Sequence, residues 1–303
     1  MTPYRKTIMK IALGPLQYYW PRDTVFAFYD ALAETPVDIV YLGETVCSRR
    51  HELRPSDWLT LAERLAGAGK EVVLSTQVLI ESPSDLSTLR RVAGNGRFLV
   101  EANDMGAVHC VDGRPFVAGP HLNIYNPATL AVLARAGAVR WVAPLEMPST
   151  SLAAMQAALP AGVETEVFAY GRMPLAFSAR CFTARHRNLP KDDCRFSCLD
   201  HPDGLVLNTQ EGKPFLVLNG IQTQSAKVYN LVDALPAMRA LGVGAVRLSP
   251  QSAHMADIVA SVHGVLTGAL TGAAARAQMG AWMPGAACNG FWHGRPGLEE
   301  VAA

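Results

Sequence analysis

The side chains in this sequence with the most chemistry to offer are cysteines. Three of the six lie in the run RCFTARHRNLPKDDCRFSC, residues 180–198, with twelve residues between Cys181 and Cys194 and three between Cys194 and Cys198. Free cysteine is among the most buried residue types, so packing is the ordinary role of any single one. That role suits this run badly, because Arg, His, Lys and Asp surround the three thiols. Nearby cations favour the thiolate, which is the form that binds metal. A fourth thiol, Cys47, stands a few residues beyond the apolar run DIVYLG. Cys110 and Cys288 have no comparable setting and read as buried or incidental.

Three chemistries compete for these thiols: an iron–sulfur cluster, structural zinc and no metal. Zinc sites favour paired C-x2-C knuckles, which this run lacks. One remote cysteine plus C-x12-C-x3-C suits a [4Fe–4S] centre better, because each of the four irons takes one thiolate. A radical S-adenosylmethionine site would show C-x3-C-x2-C, and here His201 stands where the third cysteine belongs. With Cys47, Cys181, Cys194 and Cys198 as ligands, no iron is left open for a cofactor. A disulfide framework does not fit six cysteines in a core-rich chain of 303 residues.

The elements that must position these thiols can be read from the hydrophobic pattern. Half of the residues are apolar and 17% are charged, which supports a large core. Eight short apolar runs recur: KIALGP (10–15), DIVYLG (38–43), EVVLST (71–76), RFLVEA (97–102), PFVAGP (115–120), RWVAPL (140–145), ETEVFAY (164–170) and AVRLSP (245–250). Amphipathic stretches separate most of them, among them SDWLTLAERLAGAG, SPSDLSTLRRVAGNG, NPATLAVLARAG and PSTSLAAMQAALPAG. Continuous apolar strands alternating with helices imply a parallel sheet covered on both faces. Eight units without a Gly-rich nucleotide loop predict a (β/α)8 TIM-type barrel spanning residues 1–303. A long insertion, residues 172–244, interrupts the rhythm between strands seven and eight. It carries three cysteines, a hairpin turning at Glu211-Gly212 in GLVLNTQEGKPFLVLNG, and a helix in YNLVDALPAMRALG. The tail, residues 280–303, is irregular and is expected to cover one end.

In such barrels, the loops after the strand C-termini form the functional face. Cys47 follows strand two and the other three thiols follow strand seven, so all four belong to that face. Strands two and seven are not neighbours in the ring, and the insertion must reach across the mouth. Glu44, Asn103, Asp104, His121, Asn123 and Glu146 follow strands and project toward the same mouth, where convergent polar groups mark ligand pockets. Glu44 and Glu146 are the candidate catalytic acids or bases. His121, Arg172 and Arg247 are the candidate substrate-binding residues, the arginines as carboxylate forks. Helix capping is the plainer role for Asp104 and Asn123, and packing is the plainer one for Trp282, Phe291 and Trp292.

The stretch ETEVFAYGRMPLAFSARCFTARHRNLPKDDCRFSC resembles the signature region of the U32 peptidase-like (collagenase-like) family. With YLGETVCSRRHELRPSDW and ACNGFWHGRPG, it is similar to that family's UbiV branch. The resemblance implies that Cys47, Cys181, Cys194 and Cys198 ligate a [4Fe–4S] cluster. It further implies a heterodimer with a homologous UbiU-like protein, an accessory lipid-binding protein, and oxygen-independent hydroxylation of the polyprenylated ring precursor of ubiquinone. Many relatives carry His-Gly where this chain has Tyr170-Gly171. Proteolysis is not expected: no G-x-S-x-G occurs, and HELRP lacks the second histidine of H-E-x-x-H.

Two other roles compete with that one, an RNA-base hydroxylation factor of the same family and a non-catalytic partner whose cluster fixes an interface. A formal net charge of +1 with mixed signs disfavours nucleic acid as the partner. No apolar run reaches eighteen residues, so no membrane span is expected. The N-terminal stretch reads as leading into a buried strand rather than as a targeting segment, and the cytoplasm is the expected location.

Overall fold

The computed structural model describes residues 9–302; residues 1–8, which carry the basic start of the N-terminal stretch, lie outside the described residues. The strands are β1 (Lys10–Leu13), β2 (Ile39–Leu42), β3 (Glu71–Ser75), β4 (Leu99–Ala102), β5 (Phe116–Ala118), β6 (Ala138–Val142), β7 (Glu164–Phe177), β8 (Leu205–Asn208), β9 (Pro214–Asn219), β10 (Gln222–Asn230), β11 (Ala245–Leu248) and β12 (Ala287–Cys288). The helices are α1 (Arg22–Ala33), α2 (Pro55–Gly67), α3 (Pro83–Ala93), α4 (Met105–Val111), α5 (Pro127–Arg135), α6 (Ser149–Ala157), α7 (Phe182–His186), α8 (Leu235–Ala240), α9 (Met255–Thr267) and α10 (Gly272–Gly280).

β1 to β7 pair in sequence order, all parallel, and β11 closes the ring against both β1 and β7. This is a (β/α)8 barrel, and all eight apolar runs supply its strands. Period-two alternation splits each strand between two surroundings. Val40, Leu42, Val72, Leu74 and Val100 face outward into the layer shared with the helices. Ala12, Ile39, Tyr41, Val73, Val117, Val142 and Ala245 form a separate inner cluster. Two of those seven inner residues are alanines, and fully buried Glu101 and Glu166 also lie on the barrel strands. Local signals set the helix starts: Ser82 and Asp85 form a capping box on α3, and Asn126 accepts from Thr129 N ahead of α5. No helix is long and apolar enough to cross a membrane among the described residues.

The insertion departs from the sequence expectation in one respect that matters for function. β7 does not end at Tyr170 but continues to Phe177, and its second half pairs antiparallel with β10. β10 pairs with β9, and β9 with β8. A four-stranded antiparallel sheet therefore grows out of a barrel stave. Gly171 sits at the change of partner with φ +129°, and a Cβ there would collide with Ser249. The hairpin at Glu211-Gly212 forms as predicted. The helix expected from residue 229 is shorter than its apolar pattern suggests: Tyr229 and Asn230 belong to β10, and α8 begins at Leu235. The tail after residue 280 contributes β12 beside β10 and a short 3-10 turn, with Trp292 buried.

Candidate metal centre

Two loops and one turn build the cysteine site. Beyond β2, Glu44 folds back so that its Oε1 accepts from Val46 N (2.9 Å) and Cys47 N (3.0 Å). That bend turns the Cys47 thiol inward, where it is 9% exposed. Cys181 caps α7, its Sγ accepting from Ala184 N at 3.4 Å. Between Cys194 and Cys198 the chain turns through two consecutive left-handed residues, Arg195 (φ 49°) and Phe196 (φ 51°). Non-glycine residues adopt that conformation at a cost and only when their surroundings fix it. Here Ser197 Oγ donates to Cys194 O (2.6 Å), and the Phe196 ring stands against Tyr19 and His51.

Cys47, Cys181, Cys194 and Cys198 all line one small cavity, together with Arg49, Arg50, Phe196 and Gly220. All four are free thiols. The insertion reaches the far rim through a set of polar latches. Arg50 Nη2 donates to Asn219 Oδ1 (2.7 Å) at the β9–β10 turn, and Nη1 donates to Gln17 O (2.7 Å) beyond β1. Asn219 Nδ2 also donates to Gln17 O (2.7 Å), and Gln222 Nε2 donates to Gln17 Oε1 (2.6 Å). Arg49 pairs with Asp192, Lys191 pairs with Glu81, and Trp20 Nε1 donates to Pro202 O at 2.7 Å. Gly220, with φ +65°, lets the turn pass close to the Arg50 guanidinium.

The donor set suits an iron–sulfur cluster. Four thiols line one small cavity, and the Arg50 guanidinium lies within hydrogen-bonding reach of Cys198. Arg50 Nε is buried with no hydrogen-bond partner, so it has an N–H to spare for a sulfur acceptor. Among the described residues, no group of three or more His, Cys, Asp or Glu side chains is arranged to hold a metal ion. Burial pushes the Cys47 thiol up to about 11 and raises that of Cys198, with Arg50 opposing both. Without metal these two thiols keep their protons at neutral pH, and ligation must displace them.

The barrel mouth forms a second cavity of about 290 Å³, lined by Asn103, His121, Asn123 and Glu146, four of the six polar residues expected there, and by Arg247. Arg247 and Glu101 on its lining belong to a charged network that runs on through the barrel, away from the cavity. Arg247 Nε donates to Glu166 Oε1 (2.5 Å), and Arg247 Nη2 lies 2.7 Å from Glu101 Oε1. Tyr41 OH donates to Glu166 Oε2 (2.6 Å), and Arg140 bridges Glu164 and Glu71. Burial works against the charge on Arg247, but Glu101 and Glu166 more than offset it and the guanidinium stays charged. Desolvation pushes His121 down to about 4, so it is neutral at pH 7. The signal for Glu101, Arg140, Glu164 and Glu166 was available: charged residues at period two inside otherwise apolar parallel strands must face the barrel interior.

Several expectations are corrected by the geometry. Glu44 does not line the mouth cavity; its carboxylate organises the Cys47 loop and stands 3.5 Å from Arg50. Arg172 is buried and donates to the Ser225, Ala226 and Pro284 carbonyls, tying β10 to the tail instead of facing a ligand. Asn123 caps no following helix, having a left-handed backbone (φ 55°), whereas Asp104 does cap α4. Glu146 stays at the rim, accepting from Tyr125 OH at 3.0 Å. Cys110 and Cys288 lie apart from the four-thiol cavity, on α4 and β12.

Comparison with known proteins gives family membership and little more. Among solved structures, a dihydropteroate synthase from Stenotrophomonas maltophilia is 13% identical, covering 86% of this chain and 93% of its own, with a TM-score of 0.43. An O-GlcNAc hydrolase from Thermobaculum terrenum is 10% identical over 90% of this chain and 62% of its own, with a TM-score of 0.37. The barrel assignment stands on strand pairing, not on these scores. The model of peptidase family U32 matches residues 26–286, a span that takes in all four cysteines of the site. The chain therefore belongs to peptidase family U32.

Proposed function

We propose that the chain is the iron–sulfur subunit of a heterodimeric, oxygen-independent hydroxylase acting on the ubiquinone ring precursor, a UbiV-like role within its family. The observation that carries this reading is the convergence of Cys47 with Cys181, Cys194 and Cys198 on one cavity beside the Arg50 guanidinium. Those four residues would hold a [4Fe–4S] cluster, which when bound could supply one-electron transfer. Arg50 offsets the negative charge that four thiolates bring, and its free Nε–H tunes the site through a sulfur acceptor. The partners are a homologous UbiU-like chain, an accessory lipid-binding protein and a polyprenylated ring, in the cytoplasm. Peptidase activity forms no part of the reading.

The test is purification without oxygen, followed by iron, sulfide and visible or electron-spin spectra. About four irons per chain are expected, lost in both Cys47→Ala and Cys181→Ala. Tightly bound zinc in the intact protein, or iron content unchanged in Cys47→Ala, would overturn the assignment.

A further inference from the structure

The mouth cavity carries information about its ligand that does not depend on the cysteine site. Arg247 is the one cation among its described lining residues, and Glu101 and Glu146 are its carboxylates. Arg247 is 4% exposed, and its guanidinium already faces two acids, Glu166 through Nε and Glu101 through Nη2. Its Nη1 makes no hydrogen bond to a described residue, so a donor is left over while the charge is met. The other polar groups around the cavity are neutral: Asn103, Ser249, Gln17 and the His121 ring, whose nitrogens have no described partner. Phe168, Phe177, Leu145, Leu175 and Val142 supply apolar walls.

These features oppose an anion. A carboxylate entering the cavity would meet an arginine with two acids already beside it, and a third at the rim. Charged ligands need an unmatched counter-charge to repay their desolvation, whereas a neutral oxygen needs only a donor. A volume of about 290 Å³ has room for a single ring with small substituents.

We propose that the barrel mouth is a binding site for an uncharged ring bearing a carbonyl, amide or hydroxyl oxygen, and that it discriminates against the carboxylate of the same shape. Arg247 and Ser249 donate to the ligand oxygen, Asn103 or His121 takes a ligand N–H or O–H, and the phenylalanines hold the ring.

Benzamide and benzoate form a nearly isosteric pair that isolates charge, and calorimetric titration of the full chain compares them directly. Benzamide is expected to bind at least about tenfold more tightly, a difference of about 1.4 kcal/mol. Glu101→Gln removes one acid beside Arg247 while preserving shape, and should narrow or invert the preference. Ala176→Trp, a change at an exposed wall position outside the buried network, should abolish binding of both. Benzoate binding as tightly as benzamide, no saturable benzamide binding at millimolar concentration, or benzamide binding untouched by Ala176→Trp would each overturn the proposal. The Ala176→Trp and wild-type arms keep the test intact if Glu101→Gln does not fold. Iron content, measured on the same samples, separates this outcome from that of the cysteine site.

Discussion

At Glu44 the carboxylate is held by two backbone N–H groups and a guanidinium, so its chemistry is spent on shape. A glutamine keeps the acceptor oxygen and an alanine does not. Glu44→Gln is expected to retain cluster content, whereas Glu44→Ala should lose stability by about 1–3 kcal/mol, from two unpaired donors and a stranded Arg50. Urea unfolding of both variants, with iron content alongside, checks this; equal loss in both would show that the charge beside Arg50, not the acceptor oxygen, holds the loop. His121 gives a pH prediction. Its folded pKa of about 4 lies below the ordinary 6.5, because burial disfavours the charged ring. Between those values the unfolded chain binds more protons, so stability is fully present above pH 6.5 and falls as pH drops toward 4. The loss amounts to at most about 3.4 kcal/mol. His121→Gln should flatten that slope in denaturation series run from pH 7.5 to 4.5. Neither residue's role was legible in the sequence, which shows that Glu44 and His121 follow strands but not which hydrogen bonds they meet.

Elements show how local conformation was traded for position. Arg195 and Phe196 hold left-handed backbone so that Cys194 and Cys198 face one cavity. Arg195 is largely solvent-exposed, with its Nε 3.8 Å from Asp193, so Arg195→Gly should stabilise the metal-free chain by about 0.5–1 kcal/mol through relief of strain. The reverse change at the β7 switch should behave oppositely. Gly171→Ala places a Cβ against Ser249 at a backbone angle that alanine avoids, and is expected to cost about 2 kcal/mol or more. Thermal midpoints of the two variants should move in opposite directions. The elements themselves were legible where burial was apolar: every barrel strand showed as a run of Val, Ile, Leu and Phe. β10 was not, because QTQSAKVYN buries Gln222, Gln224 and Ser225, and hydrophobic pattern is silent where polar groups are buried.

Across the whole molecule, the barrel is centred on a buried charge network rather than on branched aliphatics alone. Glu166 serves Tyr41 and Arg247 directly and lies 3.8 Å from Arg140. Glu166→Leu leaves two buried guanidinium groups short of counter-charge and should destabilise the fold by about 3–5 kcal/mol. Because the site is shielded from solvent ions, that loss should hardly change between low and high salt, and denaturation curves at two ionic strengths would show it. The fold class could be read from eight apolar runs. What the sequence could not display was the pairing of Arg50 with Asn219 and of Arg247 with Glu101; what it did lead one to expect was the meeting of Cys47 with the run that begins at Cys181.

That last pairing has a mechanical consequence. Cys47 and Cys181 are separated by roughly 130 residues and most of the barrel's staves lie between them. Any bond that joins these sulfurs through a common centre acts as a staple across that whole span, narrowing the unfolded ensemble as a cross-link does. Heat resistance should then track occupancy of the centre, and a chain emptied of it should melt earlier even though every stave is still in place.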